Sequence, residues 1–258
     1  MSRLLELHVK ALEDMKIYPQ TLYCKGDPAL LDHPKVSIVG TRRPSSYTIQ
    51  STYSLAKALS SRGVCIVSGA AMGVDASAHQ GAGASNTIAV MANGLDIRYP
   101  VVNKGLIKEI EQAGLVMSQF DDGFKATQWS FVIRNELVVA LGECLIVTEA
   151  DAQSGSMRSV EYALEMGRKI FVLPHHLGES NGTNGLLRDG LAEPIYDIEL
   201  FASRFGQAVD MEIERDDFFY FCQTSPTLDE ALAQFGERIY EAELEGSIVI
   251  KNGLIRLV

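Results

Sequence analysis

The chain has 258 residues, 47% of them hydrophobic, and a formal net charge of −10 at pH 7. No run of about 18 uncharged apolar residues occurs, which excludes a simple hydrophobic membrane span, and the opening MSRLLELHVKALEDMK lacks the apolar core and small-residue cleavage site of a signal peptide. Residues 207–258 hold 11 acidic and 4 basic residues, a net of −7 that leaves −3 for the other 206, so the overall acidity does not exclude a basic groove on the main body.

In chain order, residues 1–35 read as a helical lead-in that ends in the Pro- and Gly-punctuated stretch PQTLYCKGDPALLDHP. From residue 36 to about 205, the apolar runs VSIVG, VCIVSG, TIAVM, LVMS, CLIVTEA and IFVLP read as strands. They alternate with helical segments over 49–62, 71–84, 103–113, 131–141 and 156–167. Strands apolar on both faces, alternating with helices, predict an α/β fold with a parallel sheet covered on both sides. Residues 207–215 read as a polar linker. Over 216–258, DDFFYFCQ, TLDEALAQFG and ERIYEAELEG read as three short helices, and SIVIKNGLIRLV as a hairpin turning at Asn252-Gly253, a winged-helix-like order. Cys24, Cys65, Cys144 and Cys222 form no CxxC pair; Cys65 and Cys144 lie in apolar runs and read as small hydrophobes of a reduced, cytoplasmic protein.

The unusual residues gather at the carboxyl ends of the predicted strands, where open α/β sheets bind ligands. Gly40-Thr41-Arg42-Arg43 follows the first strand, Ser68-Gly69-Ala70-Ala71 the second, Asn93-Gly94 the third, Ser154-Gly155-Ser156 the fifth and Gly182-Thr183-Asn184 the last. Such loops let an anion approach free backbone N–H groups, and several on one edge suit an extended polyanion. Arg42 and Arg43 add charge-assisted donors for phosphate. The segment from Gly123 to Asn135 mixes aromatics with bases, as single-stranded nucleic-acid sites do. Within it Trp129 reads as a core anchor, while Phe131 reads equally as core or stacking platform.

Catalytic and metal readings find less support. Asp75 and His79 share a helix face but lack a third ligand, so they read as a hydrogen-bonded pair. Glu149 ends a strand and is a candidate ribose-binding or general-base carboxylate. The missing GxGxxG speaks against a nicotinamide cofactor, and no cofactor or metal is expected.

The ordered segments VSIVGTRRPSSYT, IVSGAAMGVDASAH, NGLDIRYPVVN, SFVIRNELVVAL, VTEADAQSGSMRSVEYALEMGRKIFVLP and GTNGLLRDG resemble the motifs of the DNA-processing protein A (DprA/Smf) family over about residues 18–196. The resemblance implies an extended Rossmann-like domain over 36–206 and a reduced winged-helix domain, as in shorter members without a sterile-alpha-motif-like N-terminal domain. It further implies a non-enzymatic homodimer that binds single-stranded DNA, protects it and helps load the RecA recombinase during natural transformation. Arg42 then contacts phosphate and Phe131 stacks on a base. Gly40, Thr41, Ser68, Gly69, Arg134 and Asn135 occupy matching motif positions, with Arg43 beside them. Gln128 stands where some short members carry lysine, and Lys125 is its substitute. Glu136 and Met72 also replace usual basic residues, so phosphate contact falls to Arg42, Arg43, Lys104, Lys125, Arg134 and Arg158. The alternative is a nucleotide sensor or a phosphoribohydrolase-like enzyme; against hydrolysis, PHHLGESNGTNGLL lacks the PGGxGTxxE motif and its glutamate.

Overall fold

The computed structural model describes residues 2–6, 8–206, 218, 221–222, 224–236, 238–251 and 253–257. The chain divides into two compact units, 1–209 and 210–258. The expected linker, 207–215, and most of the helix expected over DDFFYFCQ lie outside the described residues, as does Asn252 of the expected hairpin turn.

The first unit is built on nine strands: β1 (Arg3–Leu4), β2 (Tyr23–Gly26), β3 (Lys35–Val39), β4 (Cys65–Ser68), β5 (Thr87–Met91), β6 (Leu115–Ser118), β7 (Cys144–Val147), β8 (Lys169–Val172) and β9 (Glu193–Pro194). Their order in the sheet is β1-β2-β6-β5-β4-β3-β7-β8-β9. From β6 to β9 every neighbouring pair is parallel, whereas β1 and β2 run antiparallel at one edge. The helices are α1 (Ser46–Ser60), α2 (Val74–Ala82), α3 (Lys104–Ala113), α4 (Gln128–Leu141), α5 (Ser156–Glu165), α6 (Asn181–Arg188) and α7 (Ile198–Ala202).

Alternate strand residues serve opposite faces of the sheet. Val36, Ile38, Ile66 and Ile146 pack with Leu55 and Leu59 of α1, Val74 and Ala78 of α2 and Phe201 of α7. Val67, Val90, Leu145 and Val147 face the other way, onto Leu137 and Leu141 of α4 and Val160 of α5. Two covered faces are why these strands read as unbroken apolar runs. Burial pushes the thiols of Cys65 and Cys144 up to about 12, so both act as apolar filler. Among the described residues no helix is long and apolar enough to cross a membrane.

The helical lead-in expected over 1–35 is corrected. Its described residues form β1, β2 and two 3-10 turns, Lys10–Asp14 and Pro28–Asp32. Leu12 and Leu22 are buried in the sheet's own core, and β2 takes its conformation from pairing with β6. The loop expected at Gly182-Thr183-Asn184 is likewise the first turn of α6.

In the second unit, helices Leu228–Phe235 and Arg238–Leu244 precede a hairpin of strands Ile248–Lys251 and Leu254–Leu257. Thr227 opens the first helix through a capping box with Glu230. Phe218, Cys222, Ala231, Ile239, Ala242, Ile248 and Ile255 form a core of their own.

Candidate functional site

Connections leave β3 toward β4 on one side, while β7 lies on the other, so the topological switch falls between β3 and β7. The protein fills this crevice itself. The Thr41 N–H donates to the Glu149 carbonyl at 2.8 Å, and the Thr148 N–H to Val39 at 3.2 Å. The Glu149 carboxylate accepts from the Ser45 N–H and hydroxyl, both at 3.0 Å, at the N-terminus of α1. Burial alone raises this carboxyl; hydrogen bonds from Thr48 and Ser45 outweigh it and hold Glu149 below its ordinary value. Glu149 is therefore an ionised helix cap, in the position a ribose or phosphate would need, and not a free general base.

The glycine loops show the same economy. The N–H groups of Gly69 and Ala71 donate to Asp75 at 3.1 and 3.3 Å, that of Gly94 to Phe124 at 2.9 Å, and that of Gly182 to Ala150 at 2.8 Å. A Cβ at Gly40 would stand 2.6 Å from Val74 and 3.0 Å from the Glu149 carbonyl; one at Gly73 would stand 2.5 Å from the Thr41 carbonyl. These glycines admit the protein's own chain. For these loops the expectation that they cradle an anion on free N–H groups is corrected: Thr41, Gly69, Gly94 and Gly182 spend those donors internally, whereas an added Cβ at Gly155 would meet nothing within 4 Å. Ser68 is buried, with its hydroxyl on the Ile38 carbonyl at 2.7 Å.

Beyond the ends of β4 and β5 the surface is different. Arg42, Met72, Asn93, Tyr99, Phe131 and Arg134 line a shallow pocket. The Arg42 guanidinium lies 5.2 Å from the centroid of the half-buried Phe131 ring, and Tyr99 lies 6.3 Å from it at 48°. Arg42, Arg43, Lys104 and Lys125 are exposed, and among the described residues none of them enters an ion pair, unlike Arg158, which is paired with Glu161 at 2.5 Å. The space enclosed is ≈ 20 Å³, room for about one water. A small-molecule site typically needs roughly 300–1,000 Å³.

Arg134 sits under this pocket and is buried. Its Nη1 donates to the carbonyls of Gly69 and, at 2.8 Å, Val90, and its Nε to Asn135 at 3.1 Å. The guanidinium is 5.7 Å from the Phe131 ring. Its expected part in direct phosphate contact is corrected to a clamp that joins α4 to the ends of β4 and β5. The reason is visible on α4, where Ser130, Arg134, Leu137, Val138 and Leu141 form its buried stripe. Burial lowers the Arg134 pKa and raises that of Asp75, each opposed by the other's charge. Asp75 and His79 do not pair. His79 Nδ1 contacts the Thr87 hydroxyl at 2.7 Å, and burial followed by the Arg134 charge takes its pKa down to about 3. Among the described residues no group of three potential ligands is placed to hold a metal.

Of the remaining candidates, Lys125 and Gln128 are exposed at the entry to α4. The Asn135 amide reaches the Gly155 carbonyl at 3.4 Å. Trp129 is 52% exposed, yet its ring abuts Phe120 and Phe124 at 5.6 and 5.7 Å, so it is an anchor with an open face. Tyr99 is not among the candidates by sequence, although it lies inside the quoted NGLDIRYPVVN; an aromatic beside a basic residue in a strand-end loop is the signal that marks it.

A family model described as DNA recombination-mediator protein A matches residues 6–206. Protein Smf of Synechocystis is 36% identical over 196 residues, 72% of this chain and 48% of that protein. DNA processing protein DprA of Streptococcus pneumoniae is 38% identical over 176 residues, 67% of this chain and 62% of its own. The chain thus spans about half to three-fifths of the length of these curated relatives. Among solved structures, one that concerns the single-stranded DNA binding mode of DNA processing protein A from Helicobacter pylori has a TM-score of 0.78 at 43% identity, covering 79% of this chain and 95% of that one. DprA from Streptococcus pneumoniae gives 0.72 at 34% identity, with 77% and 71% covered.

Proposed function

The chain belongs to the DNA recombination-mediator protein A family, and on that premise we propose that it binds single-stranded DNA across the ends of β4 and β5, with Arg42 on a backbone phosphate and Phe131 beneath a base. The observation that carries this reading is the Arg42–Phe131 pair: a cation that has no carboxylate partner among the described residues, resting 5.2 Å from the centroid of a half-buried ring. A base that stacks on that face takes the place of the guanidinium, and the same nucleotide brings the phosphate that receives it. Arg134 holds the ring's helix in place from below and leaves positive charge under the pocket. Arg43, Lys104 and Lys125 extend the basic rim along the strand's path.

Binding of this kind tolerates any base, weakens as salt rises and excludes duplex, whose paired bases cannot turn onto a side-chain ring. The small volume of the Arg42–Phe131 pocket and the carboxylate in the switch crevice weigh against a mononucleotide held at either of these two places. Protection of the strand, RecA loading during natural transformation and action as a homodimer in the cytoplasm complete the proposed role; they rest on family membership. The test is fluorescence anisotropy of a labelled ~35-nucleotide single strand and of its duplex at two salt concentrations. Salt-sensitive binding selective for the single strand is expected. Equal affinity for duplex, or no binding at low salt, would overturn the reading.

A further inference from the structure

Tyr99 has no evident structural task. The residue is 45% exposed, and among the described residues its hydroxyl makes no hydrogen bond. The loop that carries it is nevertheless held firmly at both ends. The buried Asn93 amide donates to the carbonyls of Gly94 and Ile97 at 2.9 and 2.7 Å, and the buried Asn103 amide to those of Ala70 and Ala71 at 3.0 and 2.9 Å. Two buried amides thus fix a loop whose tip shows solvent an aromatic ring, followed by Val101 and Val102 at 76% and 71% exposure. Contiguous apolar surface presented by a rigid loop marks a contact site. Its neighbours indicate what is contacted: Tyr99 shares the pocket with Arg42, Met72 and Phe131, and Lys104 follows two residues after Val102.

We propose that Tyr99 is a second base-stacking platform, so that the site grips two successive nucleotides of one strand, the first base on Phe131 and the next on Tyr99. This inference rests on the single-stranded DNA reading above. The ring geometry determines how the two bases lie. At 48° to one another the rings are too tilted to hold one base between them, since a base can lie flat on both faces only where they are parallel. Each ring therefore takes its own base, and the step between the bases is splayed. Arg42, which lines the same pocket and is displaced from the Phe131 face by the first base, receives the phosphate. Splaying is open to an unpaired strand and closed to a duplex, so this step contributes to strand selectivity.

The test measures anisotropy of a labelled ~20-nucleotide oligothymidylate with wild type, Tyr99→Ala, Tyr99→Phe and Arg42→Ala, after thermal melting has shown the variants folded. Tyr99→Ala is expected to weaken binding on the order of 5- to 150-fold, and Tyr99→Phe to stay within about twofold, because stacking needs the ring and not the hydroxyl. If Arg42→Ala weakens binding while Tyr99→Ala matches wild type, the second platform is refuted and the first site stands. Equal loss in Tyr99→Phe and Tyr99→Ala refutes stacking in favour of a hydroxyl contact. If wild type itself fails to bind, the underlying reading falls and this inference with it.

Discussion

Beside the β3–β7 crevice and beyond the ends of β4 and β5, the chain uses the same device, a glycine-bearing loop that runs into a helix, with opposite results. At the crevice the loop is closed on itself. Thr41 bonds to Glu149, Glu149 caps α1 through Ser45, and Gly40 admits Val74. Beyond β4 and β5 the backbone donors are equally spent, on Asp75, but the side chains above them are not, and Arg42, Phe131 and Tyr99 face outward. Glycines at strand ends are therefore no measure of phosphate affinity by themselves. Here they bring elements close enough to place a guanidinium and two rings side by side, and the proposed binding mode uses these in place of backbone N–H groups.

The largest effect should come from breaking the packing role. Gly73 has φ 80°, and an added Cβ would lie 2.5 Å from the Thr41 carbonyl and 2.7 Å from Pro44. Gly73→Ala is expected to lower unfolding free energy by about 2–4 kcal/mol in urea titration, from backbone strain plus overpacking. A variant as stable as wild type would mean that the loop has room for a ligand after all. Next, Phe131→Ala should weaken single-strand binding by about 1–3 kcal/mol while its melting temperature changes little. An unchanged affinity would move the base elsewhere.

Arg42→Ala should act on the salt dependence. One lost phosphate contact flattens the slope of log affinity against log salt by about 0.7 for a single strand. A slope that does not change would leave Arg42 outside the interface. The smallest effect belongs to the crevice. With its pKa held below the ordinary value, Glu149 contributes stability that is present above the unfolded-state carboxylate pKa and lost as pH falls through the folded one. Glu149→Gln should cost about 1 kcal/mol near neutral pH and leave a shallower acid limb in melting temperature between pH 7 and 3. Single-strand affinity should not change, and a gain would mean that the carboxylate had been repelling DNA at the crevice.

How much of this the sequence revealed follows from where the signals lie. VSIVG, TIAVM and LVMS were legible as strands because both of their faces are buried, so each run carries only one small polar residue, Ser37, Thr87 or Ser118, itself buried. Tyr23–Gly26 was not legible, since YCKG has neither length nor alternation and becomes a strand by pairing with β6. NGTNGLLR contains two glycines and two asparagines and reads as loop. It is helical because of tertiary bonds, among them Gly182 to Ala150 and the Asn184 amide to the carbonyls of His175, His176 and Glu179. At the proposed site, Arg42 was legible as a cation after a strand-end glycine, while Phe131, an aromatic before a helix, read equally as core and as stacking platform. The burial of Arg134 was hidden because a charged residue is read as solvated, although its spacing with Ser130, Leu137 and Leu141 places it on the inner stripe of α4.

Photo-cross-linking reads where the strand lies on the protein. An oligonucleotide substituted with 5-iododeoxyuridine, irradiated in complex with the protein and mapped by mass spectrometry, reports which aromatic residues touch its bases. Adducts are expected on Phe131 and Tyr99. The β3–β7 crevice has its own aromatic pair, Tyr47, which is 50% exposed, and His175, with ring centroids 5.5 Å apart. Adducts confined to Tyr47 or His175 would place the strand over the crevice and contradict the account.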